Sequence, residues 1–350
     1  MPLLAKKPVR ADERALLHPA RARRILPPMS TPTWGLVATI KADSTDILNF
    51  AAHHLDMGAH RVHIYLDEDA PAAREALIGH PKCRVILCDA DYWKRRAKRK
   101  GRPEKHQPRQ TMNATHCYNR NPQVDWLAHL DVDEFLWPTS PLSAQLAALP
   151  NDTFSARVRP IEALAPDLTN PPPKGQIWAK SCARHLGPRR EQTNAIYPTY
   201  GDHLNGGFLS HVAGKVLVRT GHKGISLRIH NAFQHGTKDN DPALLGNTQL
   251  AHLHGQDWEH WLKHYRFRLS QGSYRDSLKA APMADGIALN MNQLFRMLED
   301  EGGEEALRAF YTEVCTATPD LRERLAEHGH LHAITLDLAA KRARHFPDMT

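Results

Sequence analysis

No segment of the 350-residue chain approaches the roughly 20 consecutive apolar residues needed to cross a bilayer. The N-terminus is charged, but no apolar run follows it, so it does not read as a secretory signal. Cysteines are few. Cys83, Cys88, Cys117, Cys182 and Cys315 make an odd number without C-x-x-C spacing. That pattern argues against a disulfide framework and against a cysteine-rich zinc site. A reducing, cytoplasmic location is the simplest reading. No internal repeat and no recognised nucleic-acid module is visible, so nucleic acid is not an expected partner.

Hydrophobic residues make up 41% and charged residues 24%, ordinary globular usage, so a sizeable core can form. The formal net charge is +8. Such a balance favours anionic partners: nucleotide diphosphates, acidic glycans, nucleic acid, or the inner face of a membrane touched peripherally. The 23 histidines are many for this length, and most are expected to be structural.

Three regions are expected. Residues 1–32 form a basic arm with Pro27, Pro28 and Pro32 at its end. Residues 33–256 form an α/β domain. Residues 257–350 form a helical C-terminal region. In the second region, apolar runs at 34–40, 62–66, 84–88 and 124–130 predict strands. Between them, Asp43 or Ser44 can cap a helix ended by Gly58, Pro71 can open a second, and 110–118 can form another. Such alternation implies a mostly parallel central sheet flanked by helices. Segments 215–219 and 226–230 also read as strands, and 169–175 as a loop. Beyond Asp257 helices dominate. Trp258, Trp261, Leu262, Tyr265 and Leu269 recur at helical spacing and read as core packing. Segments 289–298, 304–317 and 333–342 read as further helices.

Ligands of parallel sheets bind beyond the carboxyl ends of the strands. Asp131 and Asp133 fall there, and so does Asp67. In an extended segment, residues two apart project to one face, so Asp131 and Asp133 can converge on one cation. Carboxylates are hard oxygen ligands suited to Mg²⁺ or Mn²⁺. Such a metal bridges the phosphates of a nucleotide diphosphate and offsets charge on the leaving group. The competing reading is a solvated acidic turn, because a bare D-x-D is common. His252 and His254 form a second cluster. An imidazole there favours Mn²⁺ over Mg²⁺, whereas two satisfied structural histidines are the ordinary alternative. The run from Lys94 to Arg102 reads as a solvated basic loop able to close over a diphosphate.

The sequence around these residues resembles glycosyltransferase family 2 of bacteria, which has the GT-A fold. The resemblance rests on Lys41-Ala42-Asp43, His54 and Gly58, Asp125-Trp126, and above all Leu130-Asp-Val-Asp-Glu-Phe-Leu136. Lys215-Val-Leu-Val-Arg219, His230 and His252 add to it, and together these cover about residues 34–272. Asp43 stands in place of a glutamate, Asn49 in place of another, and Leu253 in place of an aromatic. The resemblance implies a GT-A-like, metal-dependent glycosyltransferase that inverts the anomeric centre. Its donor is a nucleotide-diphosphate sugar, with UDP as the leading candidate, and its acceptor is a glycan or other molecule of unknown identity. It further implies that Lys41, Asp43, Asp67 and Asp131 contact the donor. Asp131, Asp133 and His252 then hold Mn²⁺ or Mg²⁺. The base that deprotonates the acceptor is not assigned by any motif; Glu162, Asp202 and Asp239 are candidates. A metal-dependent nucleotidyltransferase is the enzymatic alternative, and a non-catalytic basic binding protein the alternative outside catalysis. A haloacid-dehalogenase phosphatase fits poorly, because Glu134 and Phe135 follow the second aspartate.

Overall fold

The computed structural model describes residues 31–97, 101–270 and 289–349. The basic arm therefore lies outside the described residues, as does part of the 94–102 run. From Pro32 onward the chain packs as one compact unit.

Four apolar runs form the N-terminal half as the alternation predicts. Strand β1 (Trp34–Ile40) leads to helix α1 (Ser44–Asp56), β2 (Arg61–Leu66), α2 (Pro71–Gly79) and β3 (Cys83–Leu87). Helices α3 (Ala90–Ala97) and α4 (His106–Asn119) precede β4 (Trp126–His129). The local reasons are visible in the side chains. Asp43 accepts a hydrogen bond from the Asp46 N–H at 2.9 Å and so caps α1. Pro71 occupies the first turn of α2, where its missing N–H costs nothing. Strands β3, β2, β1 and β4 lie side by side and parallel.

The second half was only partly legible. It adds β5 (Glu134–Pro138), α5 (Leu142–Ala147), β6 (Ser155–Ala163), β7 (Gln176–Lys180) and α6 (Leu186–Ile196). Then follow β8 (Lys215–Arg219), β9 (Ile225–Leu227), β10 (Ala232–Gln234), β11 (Thr237–Lys238) and β12 (Ala243–His252). With a final strand β13 (Leu331–Thr335), the sheet runs β13-β7-β6-β8-β4-β1-β2-β3, with β12 joining β5 to β6. The α/β class expected from the sequence, a central sheet flanked by helices, holds. Parallel pairing is confined to β1–β4 and to β6 with β12, while β8, β7 and β5 pair antiparallel to their neighbours. The predicted strand at 226–230 ends at Leu227.

The C-terminal helices are α7 (Trp258–Ser270), α8 (Met291–Cys315), α9 (Pro319–Glu327) and α10 (Leu338–His345). Gly303, at φ 57°, kinks α8 between the two helices expected there. The predicted helix at 333–342 is wrong in its first part. Residues Leu331–Thr335 form β13, which pairs with β7, and Asp337 at φ 51° separates it from α10. Trp258, Trp261 and Tyr265 pack against Phe295, Phe310 and Tyr311, as the aromatic stripe suggested. Tyr311 Oη donates to the Gly255 carbonyl at 2.5 Å and ties this core to the end of β12. Among the described residues, no helix is long and apolar enough to cross a membrane.

Two consecutive buried histidines of α1 brace β5 from behind. His53 Nε2 lies 2.7 Å from the Leu136 carbonyl, and the Leu136 N–H donates to His54 Nε2 at 3.3 Å. Both rings pack on Phe135.

Candidate active site

The Asp131–Glu134 turn leaves β4 and immediately becomes β5. The Asp131 N–H donates to Glu134 Oε2 at 2.8 Å, closing the turn on itself. Strand β8 runs antiparallel to β4, which brings its first residue, Lys215, to the same end. Lys215 is fully buried. Its ammonium lies 2.6 Å from Asp131 Oδ2 and 3.0 Å from Glu134 Oε2. Burial favours the neutral form of all three groups, but the mutual attraction prevails. It holds Asp131 below and Glu134 well below the ordinary carboxylate range, and pushes Lys215 up. Gln110 of α4 donates to the other Asp131 oxygen. Asp131 is thus tied on both oxygens by side chains of two other elements.

Asp133 is placed differently. Its side chain is 39% exposed, and its Oδ2 lies 3.1 Å from His252 Nε2. The register explains this meeting across 119 residues. β12 pairs with β5 so that His252 opposes Glu134, and with β6 so that His252 also opposes Glu162. The Leu253 N–H then donates to the Asp133 carbonyl at 2.9 Å. Burial alone would lower the His252 pKa. The carboxylates of Asp133, Glu134 and Glu162 reverse this and raise it to about 9. Its Nδ1 is buried without a hydrogen-bond partner among the described residues. Asp133, His252 and His254 bring ligand atoms within 4.8 Å of one another, as do Glu134, His211 and His252. The residues expected to hold a metal therefore separate: Asp133 and His252 converge, while Asp131 is engaged by Lys215 and Gln110.

The expected donor-contacting residues line the same end of the sheet. Asp67 follows β2, and its Oδ2 is held by Arg109 Nε at 2.9 Å and by Arg102 at 3.1 Å. Its Oδ1 is buried without a partner among the described residues. Lys41 pairs with Glu68 at 2.7 Å on the surface. Asp43 is the cap of α1, the structural use that the sequence offered beside donor contact. The basic 94–102 run is not simply a loop: α3 extends to Ala97 and buries Tyr92 and Trp93, and Arg102 reaches Asp67.

Of the three candidate bases, only Glu162 reaches this region. It accepts from the N–H groups of Leu209 and Ser210 and from the Ser210 hydroxyl, and it faces Lys180 at 3.4 Å. Those partners occupy both oxygens, so Glu162 positions the 209–211 loop. Asp202 accepts from Asn194, and Asp239 accepts from Ser155 at the opposite end of β6. Sequence reasoning missed Gln110, Arg109 and His211. His211 Nε2 lies 3.3 Å from Glu134 Oε1, and its ring sits 3.9 Å from that of His230. Only the amphipathic spacing of α4 could have drawn attention to Arg109 and Gln110, whereas the loop bearing His211 carries no such signal.

The profile of glycosyltransferase family 92 matches residues 37–279, well over half of the chain, including both aspartates and His252. The chain belongs to glycosyltransferase family 92. It is therefore a glycosyltransferase, and the family differs from the family 2 that its motif resembles. No curated protein matches the sequence. Among solved structures, the galactosyltransferase LgtC, in complex with donor and acceptor sugar analogues, is 14% identical with a TM-score of 0.23. That match covers 53% of this chain, which spans 57% of the length of LgtC. HddC from Yersinia pseudotuberculosis is 8% identical with a TM-score of 0.25, covering 63% of this chain and 76% of HddC. Both likenesses are remote.

Proposed function

We propose that this family 92 enzyme transfers a sugar from a nucleotide-diphosphate donor, with inversion, using a divalent cation at Asp133 and His252. The observation that carries the reading is the meeting of Asp133 and His252 beyond the carboxyl ends of the parallel strands. One half-exposed carboxylate, one imidazole with an unpartnered buried nitrogen, and a second imidazole nearby form a mixed O/N donor set. Such a set fits Mn²⁺ better than Mg²⁺. When bound, the cation would offset the charge that develops on the diphosphate leaving group. Asp131 acts differently from the metal ligand its motif suggests. Clamped by Lys215 and Gln110, it fixes the turn that aims Asp133. Asp67, held in place by Arg109 with its buried Oδ1 left without a partner among the described residues, would contact the base or ribose of the donor, with Lys41 at the rim.

The test is release of nucleoside diphosphate from a panel of nucleotide sugars, UDP-linked ones first, with and without Mn²⁺. The proposal requires metal-stimulated release that Asp133→Asn abolishes. Release of pyrophosphate instead would mean nucleotidyl transfer. Equal release with and without Mn²⁺ would remove the cation from the reading.

A further inference from the structure

Two basic groups flank the Asp131–Glu134 turn, and they are used in opposite ways. On the donor side, Arg102 and Arg109 are both spent on Asp67. On the other side stand Arg157 and Arg159 of β6, Arg184 after β7, and Arg189 of α6. Among the described residues none of these four forms an ion pair.

Three segments connect this second group to the site, and each carries one residue of both. On β6, Glu162 opposes His252, and Arg159 lies three residues earlier, opposite Gln249. After β7, Lys180 faces Glu162; two residues on, the Cys182 carbonyl accepts from Arg159 Nη2 at 3.2 Å. In the 205–213 loop, Ser210 binds Glu162 and His211 contacts Glu134. The same loop gives Arg189 the Asn205 oxygen at 3.1 Å and Arg157 the Ala213 carbonyl at 2.7 Å. These shared segments place the arginines beside the metal-binding side of the turn, with Glu162 and Lys180 buried between them.

Not all four arginines are equally available. Arg157 is committed to the carbonyls of Ala213 and His230 and to Asn231. Arg189 is committed to the carbonyls of Ala183 and Arg184 and to Asn205. These two build the surface. Arg159 makes hydrogen bonds through Nη2 only, and Arg184 is exposed without a side-chain hydrogen bond among the described residues. Burial, and after it the charges of Arg189 and Arg184, holds Arg159 below its ordinary pKa, against the opposing pull of Cys182. Asp202 lines a small crevice with Arg189 and Arg190 and accepts from Asn194, and the charge of Asp239 acts on Arg157. A half-buried guanidinium with a free fork beside an exposed one is suited to a carboxylate or phosphate group.

We propose that the acceptor is anionic and that Arg159 and Arg184 take its carboxylate or phosphate beside the loop that carries Ser210 and His211. The position of the acceptor rests on the reading of Asp133 and His252 as the reaction centre; binding of the anion does not.

Binding is measured by calorimetry with three probes: an oligogalacturonate, its methyl-esterified neutral form, and inorganic phosphate. The wild-type protein should bind at least one anionic probe about tenfold or more tightly than the neutral oligosaccharide, a difference of about 1.4 kcal/mol. Preference for oligogalacturonate identifies a sugar carboxylate as the anion, and preference for phosphate identifies a phosphate-bearing acceptor. Arg159→Gln with Arg184→Gln should abolish that preference while metal-stimulated hydrolysis of the nucleotide sugar continues. Arg184→Gln alone, a surface change that cannot unfold the chain, should weaken anion binding severalfold. Equal binding of the acidic and esterified oligosaccharides together with no phosphate binding overturns the proposal. So does unchanged anion affinity in the double variant. If wild type binds the anion but hydrolyses no nucleotide sugar, the proposed reaction fails and the anion surface stands.

Discussion

Asp131 and Asp133 are two residues apart, yet they occupy different physical worlds. Asp131 is clamped by Lys215 and Gln110 beside the fully buried Glu134, and its charge is cancelled within the protein. Asp133 is half-exposed and faces one imidazole. A D-x-D motif treats the two as equivalent ligands. The tertiary structure makes one an anchor and leaves the other for chemistry. The difference arises because β8 and α4 deliver a cation and an amide to the first position, while β12 delivers histidine to the second.

The comparison is broken most forcefully through Lys215. Lys215→Met leaves Asp131 and Glu134 without their shared cation in a buried site. Removing one partner of such a cluster costs about 3–5 kcal/mol. Chemical denaturation should show that loss; stability within about 1 kcal/mol of wild type would mean that the anchor side is not an electrostatic unit.

Substituting each aspartate by asparagine sharpens the contrast. Asp133→Asn should reduce metal-dependent turnover by about a hundredfold or more with little change in unfolding midpoint, in the range found when a transition-state electrostatic contact is lost. Asp131→Asn should lower the unfolding midpoint as well, because Lys215 loses its closest partner. Equal melting of the two variants would erase the distinction between anchor and ligand.

Acid tests the support behind the anchor. Burial, and after it the charge of Lys341, lowers the His53 pKa from 6.5 to about 4. The folded protein therefore keeps this ring neutral where the unfolded chain binds a proton. Its contribution to stability is complete above about pH 6.5, declines as pH falls, and levels off below about pH 4. From pH 6.5 to 5 the loss is about 1.6 kcal/mol for this group. Urea titrations at both values should show it, and His53→Gln should flatten the slope. A slope unchanged in the variant would assign the acid sensitivity to other groups.

The smallest effect belongs to the exposed donor rim. Lys41 and Glu68 are both mostly solvent-exposed, so Lys41→Ser should change stability by less than about 0.5 kcal/mol. Its effect should fall on donor KM, with kcat preserved. A kcat loss at fixed KM would place Lys41 at the reacting phosphates.

The N-terminal half could be read in advance because each element there carries its own signal. Apolar runs, the Asp43 cap, Pro71 and Gly58 act within a few residues of themselves. The 333–342 segment shows the limit. It reads as one helix, but the backbone up to Thr335 is recruited by β7, and pairing overrides a weak local preference. Likewise β5 and β12 are defined by each other, and neither has a clear period of its own.

The amino-acid sequence by itself determined that acidic residues would stand beyond the carboxyl ends of parallel strands, since strand periodicity and the following turn are local properties. It also marked His252 as worth watching. Which aspartate would be neutralised, and that Glu162 would be spent on Ser210, were decided only by tertiary structure. The physical reason is that a carboxylate's role depends on the donors that reach it. Those donors arrive from strands and helices 21 to 119 residues away, through register and packing that no local pattern encodes.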